Sequence, residues 1–156
     1  MRSFDELVVE FIATPKLAVR KPRWKTKNHP DFAALTLGVV VEGKRHLRGT
    51  VAISAHRMMM PPKYSFALIF RRYRVLALDV NPGRFHRNLL AKGSVSVTHW
   101  QQWPGMEAES DKRDLTFSVW LHEFLVRANV TCNYHVVSPP RGRQLDFLNG
   151  TGPIAR

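Results

Sequence analysis

Cysteine, acidic side chains and long apolar runs are all scarce in this chain. Cys132 is its single cysteine, which excludes an internal disulfide and a cysteine-rich zinc site and is typical of a reducing compartment. The best apolar run, Phe32 to Val41, has the length of a strand and is too short to cross a bilayer. Asp5 and Glu6 stand where a secretory signal would carry positive charge. We therefore expect one cytoplasmic domain that has no membrane partner.

Several catalytic motifs are also missing. The chain has no phosphate-binding loop ending in Gly-Lys-Ser, no Gly-x-Gly-x-x-Gly after a strand, no Gly-x-Ser-x-Gly and no His-Glu-x-x-His. These absences disfavour nucleotide hydrolysis, dinucleotide redox chemistry, serine esterase chemistry and the common zinc hydrolases. We predict neither a cofactor nor a metal.

Positive charge is what the chain has in excess. Its 24 Lys and Arg outnumber 12 Asp and Glu and give a net charge of +12, and its isoelectric point is near 10.7. Such an excess predicts a polyanionic partner, and we favour RNA over DNA. The alternative is a basic protein whose charges are evenly spread. Clustering favours a binding surface, because the cations concentrate at Lys16 to Lys27, Lys44 to Arg48, Arg71 to Arg74, and Arg141 with Arg143.

The first cluster surrounds a tryptophan with cations, a mixture that suits single-stranded nucleic acid. The alternative is an edge strand whose cations block aggregation while Trp24 packs inward. The predicted nucleic-acid-binding residues are Arg20, Lys21, Arg23, Trp24, Lys25, Lys27, Arg71, Arg72, Arg74, Arg87, Trp100 and Trp103.

The apolar spacing predicts an α+β fold. Ser3 and Glu6 form a capping box that starts a short helix ending near Ala13. Alternating segments joined by turn residues then predict an antiparallel meander sheet of five or six strands, and a longer helix at about 114–128, capped by Asp111 or Asp114, is expected to pack on one face of it. We assign residues 1–137 to one domain and 138–156 to a basic C-terminal tail of uncertain order. The predicted strands are Phe32 to Val41, Leu47 to Ala55, Tyr64 to Phe70, Arg74 to Val80, Ser94 to Trp100 and Thr131 to Val137.

Potentially reactive side chains concentrate between the fourth and fifth strands. If these strands pair, the loop after Asp79 brings His86 and His99 together at the rim of the sheet. Two histidines could share the proton transfers of RNA cleavage, in which the ribose 2′-hydroxyl attacks the adjacent phosphate. Arg84 or Arg87 would then bind that phosphate. Trp100 or Trp103 would stack a base, and Asp79 would orient a histidine.

Simpler interpretations of the same residues stay open. Strand alternation alone places His99 on a polar face, and Asp79 is a common kind of turn residue. A metal site built from Asp79, His86 and His99 has the right ligand types but matches no tight motif, so we rank it below acid/base catalysis.

The segment Leu78 to Asn88, followed by Val97 to Trp100, resembles part of a known family. It is similar to TumE-like toxins, small ribonuclease-type toxins of bacterial toxin–antitoxin loci, over about residues 74–103. The resemblance implies a small endoribonuclease that has a cognate antitoxin as its partner. Gln101 stands where family members commonly carry a second histidine.

We therefore expect a basic RNA-binding protein that has metal-independent endoribonuclease activity through His86, His99, Arg84 and Asp79. The alternative is a non-enzymatic binding or inhibitor module, phage-borne or related to defence, that grips nucleic acid or a nucleoprotein complex.

Overall fold

The computed structural model describes residues 1–82 and 98–142, and in this part of the chain it contains two helices and nine strands. The helices are α1 (Phe4–Ala13) and α2 (Phe117–Arg127). The strands are β1 (Lys16–Val19), β2 (Lys25–Thr26), β3 (Phe32–Val41), β4 (Lys44–His56), β5 (Tyr64–Phe70), β6 (Tyr73–Val80), β7 (His99–Gln102), β8 (Glu109–Ser110) and β9 (Val130–Thr131). The predicted α+β class is confirmed, whereas the predicted count of five or six strands is too low. Neither described helix is long and apolar enough to span a membrane.

One sheet contains all nine of these strands. Its order is β8-β7-β6-β5-β4-β3-β1-β9, and β2 pairs with β3 beside β1. Each pair from β3 to β8 is antiparallel, which confirms the predicted meander. The pairing of β1 with β9 is parallel. The short strands β1, β2 and β8 account for the additional strand count, because they extend or flank the sheet that the longer segments form.

The first helix is fixed at both ends by side chains. The Ser3 hydroxyl accepts a hydrogen bond from the Glu6 N–H, and the Glu6 carboxylate accepts one from the Ser3 N–H, so the predicted capping box is present. At the other end the buried Lys16 ammonium donates to the carbonyls of Phe11, Ile12 and Thr14. These carbonyls would otherwise lack partners at the helix end. Burial lowers the pKa of Lys16 to about 8.

The second helix begins later than predicted. Its N-cap is Thr116, whose side chain makes no capping hydrogen bond. Asp111 is not the cap, because its carboxylate accepts hydrogen bonds from Trp100 Nε1 at 3.1 Å and from Arg113 Nη2 at 2.8 Å. Asp114 lies two residues before the N-cap and is not the cap either. The predicted packing of this helix on the sheet is correct, since Phe124 lies against Phe66 with ring centroids 5.6 Å apart.

The two faces of the sheet differ sharply in side-chain size. Both helices pack on the same face, because Phe11 of α1 stacks on Phe70 and Phe124 of α2 stacks on Phe66. We call this the helix-covered face; one of its cross-strand rows is Leu35, Ile53, Phe66, Leu78 and Trp100. Alternation sends the neighbouring residues to the opposite side. This small-residue face consists of the rows Ala34, Ser54, Ser65, Asp79, His99; Thr36, Ala52, Ala67, Ala77, Gln101; Gly38, Thr50, Ile69, Arg74; and Val40 with Arg48.

The C-terminal part of the described chain packs against the sheet. The predicted strand at Thr131 to Val137 is only the two-residue β9. Beyond it, Pro140 is buried and the Gly142 N–H donates to the Arg57 carbonyl at 3.0 Å. Residues 138–142 therefore lie against the domain instead of leaving it at 137, and the rest of the predicted tail lies outside the described residues.

Candidate nucleic-acid interface

Asp79 and His99 lie directly opposite each other on β6 and β7. The His99 Nε2 is 3.5 Å from an Asp79 carboxylate oxygen, and both side chains are partly exposed. Asp79 in turn lies opposite Ser65 of β5, whose hydroxyl donates to the other carboxylate oxygen at 2.8 Å. Strand register thus places a serine, a carboxylate and an imidazole in one row.

Among the described residues, two polar atoms beside this row are buried and have no hydrogen-bond partner. They are the Nδ1 of His99 and the side-chain oxygen of Asn81. Asn81 itself is anchored at the strand end, because its N–H donates to the Thr98 hydroxyl at 3.2 Å. Because the Nδ1 of His99 is enclosed, the ring nitrogen that meets another ionisable group here is Nε2, on the side of Asp79.

The structure brings together only part of the predicted catalytic set. Asp79 and His99 are adjacent, and Arg74 extends a guanidinium nitrogen to 3.7 Å from Asp79. Arg84, His86 and Arg87 lie outside the described residues, so the pairing of His86 with His99 stays a prediction. Among residues 1–82 and 98–142, no group of three or more His, Cys, Asp or Glu side chains is arranged to hold a metal ion.

The three predicted stacking tryptophans are engaged in packing. Trp24 is 5% exposed and its indole donates to the Val137 carbonyl at 2.9 Å. Trp100 is 3% exposed and lies against Phe124. Neither ring has a free face for a base, so their predicted stacking roles are corrected to roles in the core. Trp103 is half-buried, and its indole donates to Asp5 at 2.6 Å.

Cations from two hairpins meet at one end of the sheet. The β3–β4 and β5–β6 connections lie at this end, and between them is an open depression of about 550 Å³ lined by Arg45, His46, Arg48, Gly49, Thr50 and Arg71. Arg48 and Thr50 belong to the small-residue face. In the described part of the chain, Arg45, Arg48, Arg71 and Arg72 form no salt bridge. The Arg71 guanidinium lies over the Phe70 ring, 5.2 Å from its centroid.

The β5–β6 turn is strained in a way that favours a functional role. Arg71 and Arg72 are its two central residues, and their φ angles are +48° and +74°. This left-handed conformation suits Gly, Asn or Asp in a two-residue hairpin, and side chains such as arginine adopt it at a cost. The turn places two guanidinium groups next to Tyr73, whose ring is 54% exposed.

A second basic depression lies further along the same face. It has a volume of about 470 Å³ and is lined by Lys27, Asn28, His29, Phe32 and Ser54. Ser54 and Thr50 lie four residues apart on β4, which corresponds to about 13 Å along the strand. The predicted cations Arg20, Lys21, Arg23 and Lys25 are exposed, and Lys25 lies opposite Ala34 in the row of Asp79 and His99.

The sequence does not identify two kinds of contributor to this candidate interface. Ser65 cannot be recognised from the sequence, because only the register of β5 against β6 shows that it faces Asp79. Arg45 and Arg48 form a cluster in the sequence, but their proximity to Arg71 depends on the hairpins meeting. Tyr73 does not belong to the candidate interface, because it lies opposite Phe70 and its ring packs against Phe4 and Trp103.

Comparison with protein-family models, with curated proteins and with solved structures finds no match for this chain. The resemblance to TumE-like toxins therefore stays a prediction, and the functional argument depends on the geometry described above.

Proposed function

We propose that the protein binds single-stranded nucleic acid, with RNA preferred, along the small-residue face. The observation that carries the proposal is the position of the two basic depressions, because each is lined in part by β4 residues of that face, Thr50 in one and Ser54 in the other. Cationic side chains neutralise phosphates, and the small residues between the depressions, which are Ala, Gly, Ser and Thr, let a polymer backbone approach the sheet closely.

The test is the salt dependence of binding to a labelled single-stranded RNA. Removing one cation that neutralises a phosphate lowers the slope of log affinity against log salt by about 0.7 for single strands. The double variant Arg48→Ala/Arg71→Ala is therefore expected to lower the slope by about 1.4 and to weaken binding. A competing DNA strand of the same sequence measures the preference for RNA.

A matched control removes a charge elsewhere. Lys112 is exposed, lies between β8 and α2, and is remote in sequence from both hairpins, so Lys112→Ala should leave the slope unchanged. A flat salt plot for the wild type, or equal losses in Lys112→Ala and in the single variant Arg71→Ala, contradicts the proposal. A flat plot would favour a protein partner instead, such as the target of an inhibitor module.

RNA cleavage is a second candidate function, favoured by the pairing of the partly exposed His99 and Asp79 side chains at 3.5 Å. In this reaction His99 accepts the proton of a ribose 2′-hydroxyl, the 2′-oxygen bonds to phosphorus, and the bond from phosphorus to the 5′-oxygen breaks. A second acid protonates the departing oxygen, a role for which His86 remains the candidate by sequence. No metal is needed, because imidazoles carry both protons.

Cleavage is tested with end-labelled RNA in EDTA. His99→Ala should lower the rate by about 10²–10⁴-fold, and RNA carrying a 2′-deoxy sugar at the cleaved position should resist. Val126→Ala, an exposed change on α2, should keep full activity. Cleavage that survives His99→Ala eliminates this site, and tight binding without cleavage leaves a binding module.

A further inference from the structure

Another cavity lies at the same edge of the sheet as Asp79 and His99, but on the opposite face. Its volume is about 480 Å³, within the range of about 300–1,000 Å³ that is usual for small-ligand pockets. It is enclosed by the ends of β5 and β6, the N-terminal turn of α2 and the segment after β9. Its lining residues are Pro61, Pro62, Tyr64, Val80, Pro82, Thr98, Arg113, Asp114, Leu115, Thr116, Phe117, Trp120, Ser138, Pro139 and Arg141.

The walls are mostly apolar. Tyr64 is partly exposed and supplies the accessible ring, which meets Phe117 with ring centroids 5.2 Å apart. Phe117 and Trp120 are 5% and 1% exposed, so they close the cavity from the core and offer no free ring face. Four prolines contribute apolar ring surface and no N–H donors. Such walls suit a planar aromatic ring, whose two faces are apolar.

The hydrogen-bonding groups of the cavity are hydroxyls. Burial raises the pKa of Tyr64, so its hydroxyl stays protonated at neutral pH and both donates and accepts. The Thr116 hydroxyl makes no capping bond to α2, and Ser138 is exposed at the opening. These groups match a ring whose edge carries mixed donors and acceptors.

The charges around the cavity disfavour a phosphate as its occupant. The Arg113 guanidinium is 2.8 Å from Asp111 and 3.2 Å from Glu123, so two carboxylates neutralise it. The other two charged lining residues, Asp114 and Arg141, carry opposite charges. Without surplus positive charge, the cavity favours an uncharged ring over an anion.

The position of the cavity connects it with the proposed interface. Val80 and Thr98 line the cavity and are the immediate chain neighbours of Asp79 and His99. Side chains alternate along a strand, so the cavity and the Asp79–His99 pair lie on opposite sides of one rim. A strand crossing that rim would place a phosphodiester near the pair and an adjacent base in the cavity.

We propose that this cavity is a base-binding pocket that takes one nucleobase turned out of a single-stranded RNA. The inference rests on the proposed RNA binding and adds to it a base-dependent component that the basic depressions do not provide. Recognition of unstacked bases by stacking and by hydrogen bonds to their edges is a general mode of RNA binding.

The test distinguishes binding of the base from binding of the backbone, because it compares an RNA oligonucleotide with the same sugar-phosphate chain made without bases. Two variants fill the cavity from opposite walls, Thr116→Phe and Ser138→Trp. Val119→Phe is the control, because Val119 is exposed on α2 and does not line the cavity. Each filling variant should bind the RNA about 10-fold more weakly, the scale of one stacked base, and should bind the baseless chain as the wild type does.

A second measurement does not depend on the basic surface. Uncharged nucleosides, titrated at millimolar concentration, should shift the indole N–H signal of Trp120 in NMR spectra of the wild type and of Val119→Phe. They should not shift it in Thr116→Phe, whose native melting curve would exclude unfolding as the reason.

The outcomes distinguish the two proposals. If nucleosides leave the Trp120 signal unmoved and the filling variants bind RNA normally, the pocket is wrong while RNA binding stands. If neither the RNA nor the baseless chain binds but nucleosides shift Trp120 in a way that Thr116→Phe abolishes, the proposed RNA function fails and the pocket remains as a nucleoside site. Loss of binding to both chains in the filling variants overturns the base-specific role.

Discussion

The two faces of this sheet are made by the same strands yet carry opposite kinds of side chain. Along β5, Phe66 and Leu68 are fully buried on the helix-covered face, whereas Ser65 on the other side faces a carboxylate. Helices bury apolar area against bulky partners, and on the small-residue face Ile69 and Val40 stand among Ala, Gly, Ser and Thr. The difference teaches that the helices bury one face of the sheet, whereas small and polar side chains dominate the other.

The largest expected change in stability comes from creating a cavity between α2 and the helix-covered face. Phe124 is fully buried and its ring lies against those of Phe66 and Trp100. Phe124→Ala should lower the free energy of unfolding by about 3–5 kcal/mol, measured by urea denaturation. Thr36→Ala on the small-residue face should change it by no more than about 0.5 kcal/mol. Equal losses in the two variants would remove the distinction between the faces.

A somewhat smaller effect is expected where a helix meets the sheet backbone. A Cβ at Gly49 would lie 2.3 Å from the Ile69 carbonyl oxygen and 2.8 Å from the Phe11 ring. Gly49→Ala should therefore push α1 away and cost about 3 kcal/mol by overpacking. Gly105, where a Cβ would meet only Glu107 at 3.9 Å, is the control position, and a Gly49→Ala protein as stable as Gly105→Ala would show that α1 is not held this closely.

The hydrogen bond that joins Trp100 of β7 to Asp111, in the segment before α2, offers a third test. Asp111 accepts from the buried Trp100 indole, and its hydrogen bonds with Arg113 lower its pKa to about 2. Asp111→Ala leaves the indole N–H without a partner, which should cost about 2 kcal/mol. In the wild type the stabilisation is complete above the ordinary carboxyl pKa and declines as pH falls towards 2. Acid denaturation curves of both proteins should therefore converge at low pH.

Long, alternating segments made most of the fold predictable, and short ones did not. The bounds of β3 and β5 follow from apolar patterning alone. Strands of two residues, such as β8 and β9, carry no periodic signal, because their partners in the sheet define them. The inward turn of Trp24 likewise depends on a carbonyl at Val137, 113 residues away.

The candidate site was predictable to the same extent. Pairing of neighbouring strands was enough to bring Asp79 to His99. The contribution of Ser65 required the register of β5 against β6, which shifts at an irregularity between Leu68 and Ile69. Such a shift leaves no mark in the composition of either strand.

A pH titration of stability tests Lys16, which is buried at the C-terminal end of α1. The folded-state pKa of Lys16 is lowered by burial to about 8, from 10.5. Between these values the unfolded chain binds more protons, so stability should rise with pH in that window. Because three carbonyls also hold the ammonium, we expect a rise of about 1–2 kcal/mol. Lys16→Met should abolish the rise, and a slope that persists in it would assign the effect to another group.

The smallest change in stability is expected from a substitution that tests the small-residue face directly. Thr36 is exposed in the middle of β3, and tyrosine suits a strand as well as threonine does, so Thr36→Tyr should alter unfolding by no more than about 0.5 kcal/mol. If a nucleic-acid backbone lies close against this face, the added ring should weaken RNA binding about 10-fold, a reduction on the scale of one good contact. Val126→Tyr adds the same ring to an exposed position of α2 and should bind RNA normally. Tighter RNA binding by Thr36→Tyr would mean that bases, and not the backbone, contact the sheet here, because the added ring would then act as a stacking surface. In that case small side chains would not be needed for close approach of the backbone.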